Sequence, residues 1–195
     1  KLNYSVAELR VKRILEGDEK AFRLFVDIHK VMVVNTCYAF LHNREEAEDI
    51  AQDVFIQAFE SLKSFRFDCK LSSWLYRMAV NRAINSCKSF HKRRIKLKLD
   101  EAEQHFDFPS EELPVQEKME AQERRELLHR AIDSLPENQR KAIILNKYED
   151  LSYKEVADIM NISLGAVESL IFRAKTNLEK KLKPIIGRNK MISQK

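Results

Sequence analysis

The chain has 195 residues, with 35 Lys or Arg against 30 Asp or Glu and a formal charge of +5. Three glycines and four prolines leave too few turn residues for a sheet-rich fold, and apolar residues recur at three- and four-residue spacing, so the expected class is all-α. Cys37, Cys69 and Cys87 are odd in number and lack CxxC or CxxH pairing, which suggests neither a disulfide framework nor a zinc site and fits small apolar residues in a reducing cytoplasm.

The first dense pattern is a helix over residues 19–41 carrying Phe22, Phe25, Val26, Cys37 and Phe40. After the polar break HNRE, the residues Ala47, Ile50, Ala51, Val54, Phe55, Ala58, Phe59 and Leu62 form one apolar stripe, the buried face of a helix about four turns long. Opposite it lie Asp49, Gln52, Asp53, Ile56 and Glu60. An acidic, amide-bearing face with one exposed isoleucine suits docking onto a basic partner helix, or is plain solvated surface. A segment KSFRFDCK follows, and a third helix is expected to start near Ser72 or Ser73, either of which can cap it. One side of that helix carries Trp74, Arg77, Asn81, Asn85 and Lys88, with Arg82 close by. Aromatic, amide and basic groups in succession are what holding separated DNA strands requires: a stacking surface, hydrogen bonds to an unpaired base and phosphate neutralisation. Trp74 reads equally well as core.

Residues 88–98 hold six basic residues and no acid, whereas 100–117 hold seven acids, no base, and both Pro109 and Pro114. Such a charge-segregated stretch with little apolar periodicity is expected to be a linker rather than a core element. No run is read as approaching the roughly 18 apolar residues of a membrane span, and no signal-peptide pattern opens the chain, so no direct membrane insertion is expected.

Helical periodicity returns at Leu127, Leu128, Ala131, Ile132 and Leu135, and Pro136 is placed in the first turn of the next helix. Ser152 with Glu155 three residues on is a capping box that opens a short helix over 153–160, burying Val156, Ala157 and either Met160 or Ile159. Asn161 suits the left-handed conformation that ends it, and Ser163 suits the cap of the next helix. Two helices joined by three residues are the layout of a helix-turn-helix. In its second helix Val167, Leu170, Ile171, Ala174 and Leu178 form an inner stripe, while Gly165, Glu168, Ser169, Phe172, Arg173 and Thr176 form an outer face. Small residues let that end approach a groove floor, Phe172 can meet thymine methyls, and Arg173 with Lys175 can reach base edges or phosphates. The bland alternative packs Phe172 on a neighbouring helix.

The stretches AEDIAQDVFIQAF at 47–59, SSWLYRMAVNRAIN at 72–85 and LSYKEVADIMNISLGAVESLIFRAK at 151–175 resemble the sigma-70 family of bacterial transcription initiation factors, in its short extracytoplasmic-function (ECF) subgroup. The resemblance covers nearly the whole chain. It implies two small helical domains joined by an acidic linker: residues 1–94 as a region 2-like domain, 95–118 as the linker, and 119–195 as a region 4-like helix-turn-helix domain. It further implies core RNA polymerase as a partner, held through Asp49, Gln52, Asp53 and Ile56 on the clamp helices of the largest subunit. Promoter DNA is the second partner. The minus 10 element falls to Ser64, Phe65, Arg66 and Phe67, as walls of a pocket for a flipped base, and to Trp74, Arg77, Asn81, Arg82, Asn85 and Lys88, with the basic stretch KSFHKRR tracking duplex phosphates. The minus 35 element falls to Ser163, Gly165, Glu168, Ser169, Phe172, Arg173 and Lys175. Many relatives carry arginine or lysine where this chain has Glu168, which bears on promoter choice. An anti-sigma factor is a further partner common in the subgroup, and the expected location is the cytoplasm.

Two rivals remain at this level. A stand-alone helix-turn-helix regulator uses only the C-terminal lobe and leaves the face from Asp49 to Glu60 unexplained. An enzyme, such as a metal-dependent nuclease, can in principle share a metal between Asp49 and Asp53. Charges four apart are routine on helix surfaces, however, so no enzyme, catalytic residue, metal or cofactor is expected.

Overall fold

A computed structural model describes residues 6–97 and 115–192, with side chains over 6–89 and 122–183. The described residues are helical apart from turns and one short 3-10 turn at Leu62–Ser64, and the chain divides into two compact units, Lys1–His105 and Phe106–Lys195. The expected linker residues 98–114 lie outside the described part.

The first unit contains α1 (Val6–Leu15), α2 (Glu19–Leu41), α3 (Arg44–Ser61) and α4 (Leu71–Leu97). The periodicity had shown α2 and α3 but not α1, whose Val11 and Ile14 are buried. Asp18 caps α2 by accepting from the Ala21 N–H at 3.0 Å, and the left-handed His42 (φ 57°) ends it, donating its N–H to the Tyr38 carbonyl. This helix is central, with α3 and α4 packed on it and α1 at its start. It is also long and apolar enough, by length and composition, to cross a bilayer, which corrects the expectation that no run comes near that threshold. Part of that apolar length is core, with Phe25, Val33, Cys37 and Phe40 buried, and part is surface, with Leu24, Ile28 and Val31 exposed.

Asn43 caps α3 through the Glu46 N–H at 3.1 Å. Ala47, Ala51, Val54, Phe55 and Ala58 are buried as expected, and the three alanines let neighbouring helices approach closely. Ile50 is only half-buried, and Phe59 is 53% exposed, its ring set edge-on to Phe22 at a centroid distance of 4.9 Å. Phe59 therefore lies at the rim of the core, where with Ile14, Phe22 and Val26 it lines a cavity of about 610 Å³.

The expected cap of α4 is displaced. The helix begins at Leu71, ahead of both Ser72 and Ser73, and Ser73 is itself buried. Leu71, Leu75, Ala79 and Ala83 form an i, i+4 row that is buried throughout, so burial of Leu71 starts the helix earlier than a serine cap allows. The far end runs to Leu97, inside the stretch read as linker.

The second unit contains α5 (Val115–Asp133), α6 (Glu137–Lys147), α7 (Tyr153–Met160) and α8 (Leu164–Ile192). Helix α5 also starts inside the expected linker, because residues 115–126, VQEKMEAQERRE, are strong helix formers placed just after Pro114. Pro136 occupies the N-cap of α6 rather than its first turn. Ile144, Leu145, Val156, Val167, Ile171 and Ala174 form the core. Asn177 of α8 donates to Gln139 of α6 at 2.8 Å, and Arg140 pairs with Asp133 at 2.8 Å.

Candidate nucleic-acid interface

In the first unit the outer side of α3 is as polar as its sequence suggests. Asp49, Gln52 and Glu60 are exposed, and Ile56 is 58% exposed. Among the described residues Asp49 and Gln52 make no ion pair or hydrogen bond. Asp53 differs: its carboxylate accepts from the Arg82 guanidinium of α4 at 2.7 Å, with both side chains about half exposed. The fold thus joins two residues for which the resemblance implies separate partners. Nothing in a 29-residue separation could have revealed the pair.

The turn between α3 and α4 carries an aromatic cluster. Phe65 lies 4.7 Å from Phe67 and 5.0 Å from Trp74, centroid to centroid. Trp74 is half-buried in this cluster rather than in the main core. Phe67 has φ 59°, a left-handed conformation that is costly for a bulky residue and holds its ring at the surface. Arg66 is exposed, while the Ser64 hydroxyl donates to the Ser61 carbonyl at 2.7 Å, so that hydroxyl serves the turn. Along α4 the residues Asn81, Arg82, Asn85 and Lys88 are exposed and Arg77 is half-buried, giving one amide and basic side leading away from the aromatics. Side chains of residues 90–94, the end of the basic stretch, lie outside the described residues.

In the second unit, Ser152 accepts from the Glu155 N–H at 3.3 Å while the Glu155 carboxylate accepts from the Ser152 N–H at 3.1 Å, the expected capping box. Asn161 has φ 54° and ends α7, and the Ser163 hydroxyl accepts from the Ala166 N–H at 3.2 Å to start α8. Val167, Ile171 and Ala174 are buried, Leu170 and Leu178 are half-buried, and of the short helix Ile159 rather than Met160 is buried. The outer face stands free: Gly165, Glu168, Ser169, Arg173 and Lys175 are exposed, and Phe172 is 71% exposed. Phe172 therefore does not pack on a neighbouring helix within this unit. Arg173 donates its Nε–H to the Ser169 carbonyl at 3.2 Å, a bond that does not use its terminal nitrogens. A Cβ added at Gly165 would meet nothing within 4 Å, so that end of the helix is open to close approach.

Sequence reasoning passed over one surface. Leu24, Ile28 and Val31, at i, i+4 and i+7 on α2, are all exposed, and their helical spacing was a signal that the buried residues of the same helix obscured.

Comparison with known proteins decides what this pair of units is. Residues 25–94 match the family model for Sigma-70 region 2, and residues 125–178 match Sigma-70, region 4. The RNA polymerase sigma-H factor of Pseudomonas aeruginosa is 33% identical over 180 residues, covering 90% of this chain and 93% of that protein. The ECF RNA polymerase sigma-E factor of Escherichia coli K12 is 36% identical over 185 residues, covering 93% and 96%. The chain belongs to the sigma-70 family. It is an ECF sigma factor, a non-catalytic subunit that directs RNA polymerase in promoter recognition and transcription initiation. The stand-alone regulator and the nuclease are thereby set aside. In fold, the sigma factor is similar to CnrH, solved in complex with the cytosolic domain of CnrY (TM-score 0.63, 21% identity, 90% of this chain and 96% of that one). It is also similar to RpoE of Bartonella quintana, solved with the anti-sigma factor NepR (TM-score 0.59, 22% identity, 84% and 98%).

Proposed function

We propose that the sigma factor divides its task among three surfaces on two domains, residues 1–94 and 119–195, joined by the acidic segment 95–118. Core polymerase is held by Asp49, Gln52, Asp53 and Ile56 of α3. The minus 10 element is opened and read by the aromatic cluster of Phe65, Phe67 and Trp74, by Arg66, and by Arg77, Asn81, Arg82, Asn85 and Lys88 of α4, with Ser64 shaping the turn. The minus 35 element is read by Gly165, Glu168, Ser169, Phe172, Arg173 and Lys175 of α8, with Ser163 starting that helix. The observation that carries this reading is Phe172, 71% exposed beside exposed Arg173 on a helix whose opposite side buries Val167, Ile171 and Ala174. A large aromatic held out with cations on a second helix face suits a groove, where its ring meets thymine methyls and the cations meet phosphates.

Work of this kind places the protein in the cytoplasm with the polymerase. An anti-sigma factor is a fitting further partner, since CnrH and Bartonella RpoE, similar in fold, were each solved with a bound partner chain. Its natural targets here are the acidic α3 face and the outer face of α8, because covering either blocks initiation.

The test is reconstitution with bacterial core polymerase. Wild-type protein is expected to bind core and support run-off transcription. The pair Asp49→Ala, Gln52→Ala is expected to weaken core binding by about tenfold or more while circular dichroism stays unchanged, since removing central polar anchors of an interface costs about 1–2 kcal/mol or more. Unchanged core affinity in that variant would remove α3 from the interface.

A further inference from the structure

Helix α8 begins at Leu164, and its first two turns read LGAVESLI. Glu168 is the only ionisable residue among them. Val167 and Ile171 face the core, Gly165 has no side chain, and the hydroxyl of Ser163 is occupied with the Ala166 N–H at 3.2 Å. The cations come later: Arg173 and Lys175 lie in the third turn, and Arg173 is already tied by its Nε to the Ser169 carbonyl. In a helix-turn-helix the N-terminal residues of the second helix reach the base edges. Polar readout at the leading end of α8 therefore rests on a carboxylate and one serine. Glu168 is exposed and makes no hydrogen bond or ion pair among the described residues, so no internal cation neutralises it before it meets DNA.

An ionised carboxylate only accepts hydrogen bonds. Brought into a groove between two phosphate backbones, it loses water and gains repulsion unless a base supplies a donor. In the major groove guanine offers two acceptors and thymine an acceptor with a methyl group. Adenine has an amino donor flanked by the N7 acceptor, while cytosine presents its N4 amino group with no acceptor of its own beside it.

We propose that Glu168 selects cytosine at one position of the minus 35 element, its carboxylate accepting from the N4 amino group. This rests on the reading of α8 as the minus 35 reader. Selection works largely by rejection, since guanine or thymine at that position turns an acceptor toward the carboxylate and moves the pair's amino donor to the other strand. Phe172 and Arg173, one turn further along, set the depth and direction of approach.

The test uses holoenzyme assembled from the full chain and core polymerase, with promoter fragments randomised across the minus 35 element and sequenced after run-off selection. Wild-type protein should enrich cytosine at one position, on one strand, by on the order of 10- to 100-fold over guanine or thymine. Glu168→Gln should move the preference at that same position toward adenine, because an amide can both accept from N6 and donate to N7. Glu168→Ala should flatten the preference while leaving the other positions unchanged. Glu168 is exposed, so both variants should keep the wild-type circular dichroism spectrum, which also checks that they fold. If the wild type needs the element but enriches no cytosine, or if both variants keep the wild-type profile, the assignment of Glu168 is wrong while α8 remains the reader. If initiation by the wild type ignores the whole minus 35 element, the reading of α8 fails and the proposal fails with it.

Discussion

Asp18 shows how one side chain organises the start of the central helix. Its carboxylate accepts from the Ala21 N–H at 3.0 Å and from the Arg13 guanidinium at 2.6 and 2.9 Å. The Ala21 hydrogen bond first, and then Arg13, hold its pKa below the ordinary value of 3.8. A pKa lowered in the folded state means that the charged form favours folding. The contribution is fully present above about pH 4 and is lost as pH falls through the depressed folded value. Asp18→Asn, which keeps a capping oxygen but no titrating charge, should flatten the acid limb of stability measured by urea unfolding between pH 5 and 2. An acid limb as steep as that of the wild type would show that other carboxylates set it. At this scale much was legible in the sequence. The Ser152–Glu155 capping box, the left-handed Asn161 and the outward Phe172 depend on neighbours within a turn or two, which is the range over which local pattern is decisive. Phe67 was legible as a residue but not as a conformation, since nothing in KSFRFDCK announces a left-handed phenylalanine.

At the scale of elements, the Asp53–Arg82 pair makes α3 and α4 share a charge. Both groups are about half exposed, so the pair itself contributes only about 0.2–1 kcal/mol to stability. A double-mutant cycle with Asp53→Asn and Arg82→Gln should give a coupling in that range, shrinking as salt rises; no coupling at low salt would mean that the contact does not persist in solution. Helix boundaries divide along the same line between local and distant causes. Helix α2 spans the expected residues 19–41, and α7 begins and ends where its caps predict. The start of α4 does not, because the buried row of Leu71, Leu75, Ala79 and Ala83 outweighs a serine cap, and α1 is a ten-residue helix with only Val11 and Ile14 buried. Helices α4 and α5 run into the segment read as linker, α4 to Leu97 and α5 from Val115. Charge segregation marks a segment that builds no core, yet a charged sequence of good helix formers still extends a helix.

For the whole molecule, each unit has its own core, and each proposed task belongs to one unit. Leu75 and Leu145 are both fully buried, one in each unit. Leu75→Ala and Leu145→Ala should each cost about 2–5 kcal/mol in the unit concerned. The first should impair core binding and promoter opening. The second should spare core binding in a pull-down and abolish minus 35 dependence in run-off assays; loss of core binding from Leu145→Ala would show that the tasks are not so divided. A last consequence follows from the 3.6-residue period of α8. Val167, Ile171 and Ala174 are its contribution to the buried core, while Gly165, Glu168, Ser169 and Phe172 are exposed. Substitutions on that outer side change stability by little, within about 0.5 kcal/mol. A duplicated copy of this gene is therefore free to drift through new recognition residues without ever passing through an unfolded intermediate, and families of such factors can multiply by altering address while conserving architecture.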